Sequence, residues 1–210
     1  IKGLPTFSED RQQMRWLPPN FLPTKGKGLL FLDEMNSAPQ AVQSAAYQLI
    51  LNRRIGDYIL PPGWAILAAG NRAGDRAVTH TMPSALANRF VHIDFEVDAT
   101  DWDRWAATND ISDATRGFIR FRPNLLHSFD PKTNDRAFPT PRSWAFVDKL
   151  INSSLTPEVE YELIKGTVGE GAAAEYIAYT RLAKDLPSAA EILLNPATAP
   201  VPDEPASLYA

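Results

Sequence analysis

Cysteine is absent from this 210-residue chain, and histidine occurs only three times. Without cysteine there is no disulfide framework and no thiolate ligand for a metal. His80, His92 and His127 are scattered and show no H-E-x-x-H spacing, so we expect no transition-metal site. The chain also lacks an apolar run long enough to span a bilayer, and it lacks a signal peptide. These absences predict a cytoplasmic protein that has no membrane partner.

A strong positive charge is missing as well. The formal net charge is −4 and the pI is near 5.4, so no broad basic field attracts nucleic acid, and we expect no nucleic-acid partner. With this net charge, any positively charged surface would be a small local patch. The composition, with 44% hydrophobic and 22% charged residues, is that of a globular protein and argues against wholesale disorder.

A phosphate-binding loop of the form G-x-x-x-x-G-K-[ST] does not occur in these residues. The nearest fragment, Gly26-Lys27-Gly28, precedes a predicted strand, whereas a phosphate loop follows a strand and opens a helix. We therefore interpret it as a turn. The surrounding residues 1–28 are rich in proline and glycine and predict a loop, with one short extended piece at Met14–Leu17.

The most informative stretch present is L-L-F-L-D-E, residues 29–34. Its four apolar residues show no alternation, which is typical of a strand buried on both faces of a parallel sheet. Asp33 and Glu34 follow at the carboxyl end, where such sheets bind ligands. One interpretation is that Asp33 holds Mg²⁺, usually through water, while Glu34 polarises a water that attacks a phosphate. The other is a core strand that ends in a solvated acidic turn, and these residues alone leave both open.

An amphipathic helix is predicted next. Ser37 and Gln40 have the spacing of a capping box, and residues 42–50 carry apolar side chains at i, i+3, i+4, i+7 and i+8. Arg53 and Arg54 lie at its carboxyl end, where cations suit the helix dipole.

Residues 54–60 predict a short strand, and Pro61-Pro62-Gly63 predicts a turn. This insertion separates two predicted core strands and would project from the domain. It would either contact a partner or neighbouring subunit, or serve as a plain connection.

A second apolar run, residues 64–69, ends in Gly70-Asn71. If this strand is parallel to the first, Asn71 reaches the same sheet edge as Asp33 and Glu34, where its amide could hydrogen-bond the attacking water and the γ-phosphate. The alternative is that Asn71 is an ordinary turn residue.

A short helix is predicted at residues 83–90 and a third strand at residues 91–95. Arg89 lies at their junction. It is either a surface or ion-paired arginine, or an arginine finger that reaches a neighbour's phosphates.

Taken in order, L-L-F-L-D-E-M-N-S-A, then A-A-G-N, then M-P-S-A-L-A-N-R-F resemble an AAA+ ATPase of the MoxR type, which is related to the dynein-like class. The resemblance implies that Asp33 and Glu34 form the Walker B pair, that Asn71 is sensor 1 and that Arg89 is the finger acting across a ring interface. Asn88 stands where many members have Asp, and we expect this difference to be mild because the finger's role depends on the guanidinium.

The resemblance also implies the fold class: α/β, with a P-loop NTPase αβα sandwich core in residues 1–98 and a small helical lid in residues 99–185. It implies ATP and Mg²⁺ as cofactors, a homo-oligomeric ring (a hexamer in the family), and chaperone-like remodelling or assembly of partner proteins. The Pro- and Ala-rich residues 186–210 lie outside it and predict an extended or disordered tail.

The lid prediction rests on helical patterns. These are residues 101–107, 111–121, 142–153, 157–166 and 171–185, with a core of Trp102, Trp105, Phe118, Phe121, Trp144 and Phe146.

Within this region, Thr140 is expected to cap a helix that has Pro141 at its first position. Arg142 then lies in the first turn, where the dipole disfavours a cation. The resemblance makes Arg142 the sensor 2 arginine, and the alternative is an ion pair with a nearby acid.

In the family, the phosphate loop and its strand precede Walker B, and that strand lies between the Asn71 strand and the Val91 strand. Because the chain begins at Ile1 and has no such loop, we expect a βα unit of about 30 or more residues upstream. With it, the protein would be an ATPase. Two other functions remain open: a non-hydrolysing interaction or scaffold domain on an AAA+ remnant, and a DNA-directed motor, which the acidic charge disfavours.

Overall fold

The computed structural model describes residues 3–72, 80, 82–133, 135–151, 153, 155–184, 193–194 and 198. The chain is a mixed α/β protein. Its internal contacts divide it into two compact units, residues 1–93 and 94–210. The predicted boundary lies between residues 98 and 99. The predicted tail at 186–210 lies almost entirely outside the described residues.

The first unit begins with an antiparallel hairpin of β1 (Leu4–Phe7) and β2 (Met14–Leu17). The predicted extended piece at Met14–Leu17 is confirmed as β2. Its partner β1 was expected to be loop because Pro5 lies inside it; Pro5 pairs opposite Trp16, and proline is tolerated on such an edge strand.

Two parallel strands form the centre of this unit, β3 (Lys27–Leu32) and β6 (Gly63–Ala68). Their register pairs Leu30 with Ile66, so the parallel arrangement is confirmed. Burial on both faces is wrong: Leu30 is buried, but Leu29 and Phe31 are 55% and 51% exposed. The reason is that one face packs on a core cluster, while the described residues cover only about half of the Leu29 and Phe31 side chains on the other. This cluster comprises Leu22, Leu30, Leu49, Ile55, Tyr58 and Leu60.

Helix α1 (Gln40–Asn52) follows β3 and contributes Leu49 to that core. The predicted capping box is wrong, because the residue preceding the helix is Pro39 and no side chain caps it. The buried Gln43 instead reaches back from inside the helix. Its Nε2 donates to the carbonyls of Ala38 (2.8 Å) and Asn36 (3.3 Å), which ties the turn after β3 to α1.

Arg53 ends α1 in the left-handed region, with φ of 53°. Its Nη2 donates to the carbonyls of Pro61 (2.9 Å) and Trp64 (2.6 Å). Arg53 therefore binds the start of β6 as well as closing the helix, a role that its position at the helix end alone does not reveal.

The single strand predicted at 54–60 is a hairpin of β4 (Arg54–Ile55) and β5 (Tyr58–Ile59). The reversal occurs at Gly56, whose φ of 57° favours glycine.

After the short helix α2 (Ser84–Ala87), residues 91–98 form no strand, so the third predicted strand is wrong. The sequence V-H-I-D-F-E-V-D alternates as a half-buried strand does. Val91, Ile93 and Phe95 are nevertheless 89%, 82% and 90% exposed. A strand requires hydrogen bonds to a neighbouring strand, and none of the described strands pairs with residues 91–98.

The second unit is helical. Its helices are α3 (Ala99–Thr108), α4 (Asp113–Phe121), α5 (Pro141–Ile151), α6 (Pro157–Val168) and α7 (Glu170–Lys184), with a 3-10 turn at Pro123–Leu125. Among the described residues, no helix is long and apolar enough to cross a membrane.

The aromatic core of this unit is centred on Phe118, Trp144 and Tyr176, all fully buried with ring centroids 5.2–5.4 Å apart. Trp102 is also buried, as predicted. Trp105, Phe121 and Phe146 are not core residues, because their side chains lie on the outer faces of their helices, 39–51% exposed.

A buried polar network joins three helices of this unit. The Asp148 carboxylate on α5 accepts hydrogen bonds from the Ser112 backbone N–H (3.0 Å), the Ser112 hydroxyl and the Thr115 hydroxyl (2.8 Å). Thr115 lies 3.0 Å from the hydroxyl of Tyr176 on α7, and burial raises the pKa of that hydroxyl. Because its members are bonded to one another, the network explains how these polar groups are accommodated in an apolar core.

Candidate functional site

The two carboxylates lie directly after β3, where this strand and β6 end together. The Ala69 N–H donates to the Leu32 carbonyl (2.9 Å), and the Met35 N–H donates to the Ala69 carbonyl (3.0 Å). Asp33 and Glu34 occupy the short loop between these two bonds. The sheet pairing therefore continues past the acids and holds both ends of the loop that presents them.

Within this loop, Glu34 has a φ of 49°, a left-handed conformation that is uncommon outside glycine and costs free energy. Its N–H donates to Asp33 Oδ1 at 2.9 Å. Asp33 Oδ2 has no hydrogen-bond partner among the described residues, and both side chains are exposed. The loop thus turns two carboxylates outward at the sheet edge.

Asn71 reaches this same edge through the side chain of Asn36. Asn36 Nδ2 donates to the Asn71 carbonyl (2.6 Å), and the Asn71 N–H donates to Asn36 Oδ1 (3.1 Å). Asn71 Nδ2 lies 3.5 Å from the Ser37 hydroxyl. The structure therefore brings together Asp33, Glu34 and Asn71, in segments that bond to each other.

Asn36 is a site residue that the sequence analysis missed. It follows the acidic pair in the run D-E-M-N, but an asparagine after a strand is ordinary turn composition and gave no separate signal. Glycine at position 70 leaves room for the Asn36 side chain, because a Cβ added at Gly70 would lie 2.5 Å from Asn36 Oδ1.

The edge fits a divalent cation only in part. Exposed carboxylate oxygens suit Mg²⁺, which keeps several waters and commonly takes one or two carboxylates plus phosphate oxygens. Among the described residues, no group of three or more His, Asp or Glu could hold a metal by itself. An ion bound at Asp33 would therefore complete its coordination with water and with phosphate, and the backbone cradle for that phosphate is missing from these 210 residues.

Arg89 follows α2 and is exposed. Its Nη1 donates to the Ala85 carbonyl at 3.1 Å, and no carboxylate of the described residues lies within ion-pair distance. Its hydrogen bonds do not join it to the edge that carries Asp33 and Asn71. Arg89 is therefore presented to solvent on the first unit.

Arg142 belongs to the second unit. The predicted cap is confirmed: the Ser143 N–H donates to Thr140 Oγ1 (2.9 Å), the Thr140 N–H donates to Ser143 Oγ (2.7 Å), and Pro141 begins α5. Arg142 is exposed, and the alternative ion pair is not found among the described residues. Arg142 thus places a cation in the first turn of α5 without an ion-pair partner in the part of the chain that the structure describes.

The two units carry charge of opposite sign. Residues 1–93 contain ten Lys and Arg against six Asp and Glu, whereas residues 94–210 contain eleven against nineteen. The acidic pair therefore lies in a unit with a net positive charge, which favours anionic ligands.

Comparison of the chain with models of known protein families, with curated protein sequences and with solved structures found no match.

Proposed function

We propose that these residues are most of a ring-forming, MoxR-like AAA+ ATPase module with a P-loop NTPase core and a helical lid, which binds and hydrolyses ATP with Mg²⁺. The observation that carries the proposal is the shared edge of two parallel strands, from which Asp33, Glu34 and Asn71 are presented together. By resemblance, the ATPase is a homo-oligomeric ring, a hexamer in the family, and it carries out chaperone-like remodelling of partner proteins in the cytoplasm.

When bound, Mg-ATP supplies the electrophilic γ-phosphate. Glu34 would orient the attacking water and accept its proton, and Asp33 would hold Mg²⁺ through a water molecule. The Asn71 side-chain amide would hydrogen-bond the attacking water and the γ-phosphate. The Asn36 side chain holds the Asn71 backbone in place. Arg89, from a neighbouring subunit, and Arg142, from the lid, offset the charge that develops on the transferring group.

The proposal requires a phosphate loop that these 210 residues do not contain. We propose that an upstream segment of the same protein supplies this loop, and that the strand leading into the loop lies beside β6. The intact mass of the protein from its native source tests this point: a mass several kilodaltons above 23.3 kDa is expected, and a mass equal to it contradicts an upstream loop.

The central experiment is Glu34→Gln in the protein of native length. This variant keeps the shape of the side chain but cannot accept a proton, so we expect turnover to fall by about a hundredfold or more while ATP still binds. Glu9→Gln, at an exposed glutamate in the turn of the first hairpin, is the matched control. Undiminished turnover in Glu34→Gln would refute the assignment.

The second candidate is a non-hydrolysing scaffold built on an AAA+ remnant. The observation in its favour is that no phosphate loop occurs in the chain. It predicts the same gel-filtration volume with and without Mg-ATP, whereas the ATPase proposal predicts nucleotide-dependent assembly.

A further inference from the structure

The two hairpins of the first unit join into one surface. The Trp16 N–H on β2 donates to Asp57 Oδ2 at the tip of the β4–β5 hairpin (3.0 Å), and the Trp16 ring lies beside Gly56. The Tyr58 hydroxyl donates to the Pro23 carbonyl (2.6 Å), which ties the same hairpin to the segment after β2. Each hairpin alone is short and would be only marginally stable, and these contacts hold the two hairpins together.

A cleft of about 590 Å³ opens between the hairpins, and we name it the hairpin cleft. Arg15 from β2 and Arg54 from β4 both line it. Neither guanidinium has a carboxylate within ion-pair distance among the described residues, where every ion pair lies in the second unit. Asp57 is the cleft's one carboxylate, and its Oδ2 accepts the Trp16 N–H.

An apolar cleft of about 550 Å³ adjoins the first. Leu17 and Pro18 line both, and Leu4 and Pro19 complete the apolar side. Leu4 and Leu17, which pair across the β1–β2 hairpin, are 74% and 57% exposed. Arg54 Nη2 donates to the Gly56 carbonyl (3.2 Å), but neither arginine has an ion pair among the described residues, and both lie on the same surface as the exposed leucines.

We propose that this surface binds a segment of a partner protein in which carboxylates adjoin apolar side chains. Charge complementarity sets the acidic part, since Arg15 and Arg54 line the hairpin cleft against a single carboxylate, Asp57, one oxygen of which already accepts the Trp16 N–H. The uncovered leucines set the apolar part. Single-stranded nucleic acid fits less well because it binds by stacking on aromatic rings, whereas Tyr58 is buried and Trp16 packs against the Gly56 turn.

The choice of a partner protein as the ligand rests on the proposed function, the remodelling of partner proteins. The binding test itself needs no nucleotide. The probe is a fluorescent peptide with a run of glutamates followed by leucines and valines, titrated with the native-length protein without ATP. Arg15→Gln with Arg54→Gln should weaken binding about tenfold. Arg104→Gln, at an exposed arginine of the second unit, should leave it unchanged.

A charge-reversal variant distinguishes a loss of charge complementarity from a loss of folding. Arg15→Glu with Arg54→Glu should lose the glutamate peptide and gain a peptide in which lysines replace the glutamates. Equal binding by all variants overturns the proposal. So does arginine-dependent binding of oligo-dT in place of the peptide, or a change of oligomeric state in the variants with peptide binding intact. Loss of ATPase activity in Glu34→Gln with peptide binding retained would separate the two proposals.

Discussion

At the scale of single residues, the site depends on a side chain that performs no chemistry in the proposed reaction. Asn36 donates to and accepts from the backbone of Asn71, so one amide side chain positions the end of one strand relative to the other. Its own carbonyl accepts from Gln43 Nε2 and from the His80 N–H (2.8 Å). The acidic loop is therefore held from the helix, from the neighbouring strand end and from residue 80.

We expect Asn36→Ala to lower the free energy of unfolding by about 1–2 kcal/mol, because two hydrogen bonds in a partly exposed site are lost. Urea unfolding measures this. Ser37→Ala, next in sequence and 3.5 Å from Asn71 Nδ2, is the control and should change stability little.

Gly70→Ala provides an independent check. Its new Cβ would meet Asn36 Oδ1 and displace the same amide, so the double variant with Asn36→Ala should cost less than the sum of the two single changes. Additive effects would show that the Asn36 bridge is absent in solution.

At the scale of elements, charged pairs join the helices of the second unit. Asp103 on α3 accepts hydrogen bonds from Arg120 Nη2 (2.8 Å) and Arg116 Nε (3.0 Å), both on α4. The Arg120 guanidinium first, and Arg116 next, hold the pKa of Asp103 below its ordinary value of 3.8. These two ion pairs are tertiary contacts between α3 and α4, whereas the pair of Asp101 and Arg104 lies within α3 alone.

Because the folded-state pKa is lowered, the stabilisation from Asp103 is fully present above pH 3.8 and is lost as the pH falls through the lower folded value. We expect Asp103→Asn to cost about 1 kcal/mol near neutral pH and to flatten the acid limb of the stability curve. Asp101→Asn should cost less and leave the acid limb steep. Equal acid limbs in Asp103→Asn and the unaltered protein would contradict the role of the Asp103 ion pairs.

At the scale of the whole molecule, the proposed ring makes a prediction that a monomeric enzyme does not. If Glu34 acts within its own subunit and Arg89 acts on the neighbour's site, Glu34→Gln and Arg89→Ala subunits are each inactive alone. Mixed in equal amounts, they should recover about a quarter of the activity, since that share of sites combines an intact Glu34 with an intact neighbouring Arg89.

Mixing Glu34→Gln with Arg104→Ala provides the comparison, because Arg104 is exposed and lies outside the site. That mixture should show only the activity of the Arg104→Ala subunits, because every Glu34→Gln subunit lacks the catalytic glutamate in its own site. No recovery in the first mixture would mean that Arg89 does not act across an interface.

Much of the local structure was predictable from sequence. The helices of the second unit follow apolar periodicity, the Thr140 cap with Pro141 follows local backbone chemistry, and the β3–β6 pair follows two apolar runs that end in polar residues. The convergence of Asp33, Glu34 and Asn71 came from the same reasoning, because parallel strands end at one edge. These features depend on interactions between near neighbours in sequence or on a repeating geometry.

The remaining features were decided only by contacts between residues distant in sequence. Several features depend on what packs or pairs opposite: burial on one face of β3, the absence of a strand at residues 91–97, the Arg53 bonds to Pro61 and Trp64, and the Asn36–Asn71 bridge. An apolar run specifies a strand, but a strand's burial depends on both of its faces. An alternating run such as residues 91–97 specifies a face, but it forms a strand only where another backbone accepts its hydrogen bonds.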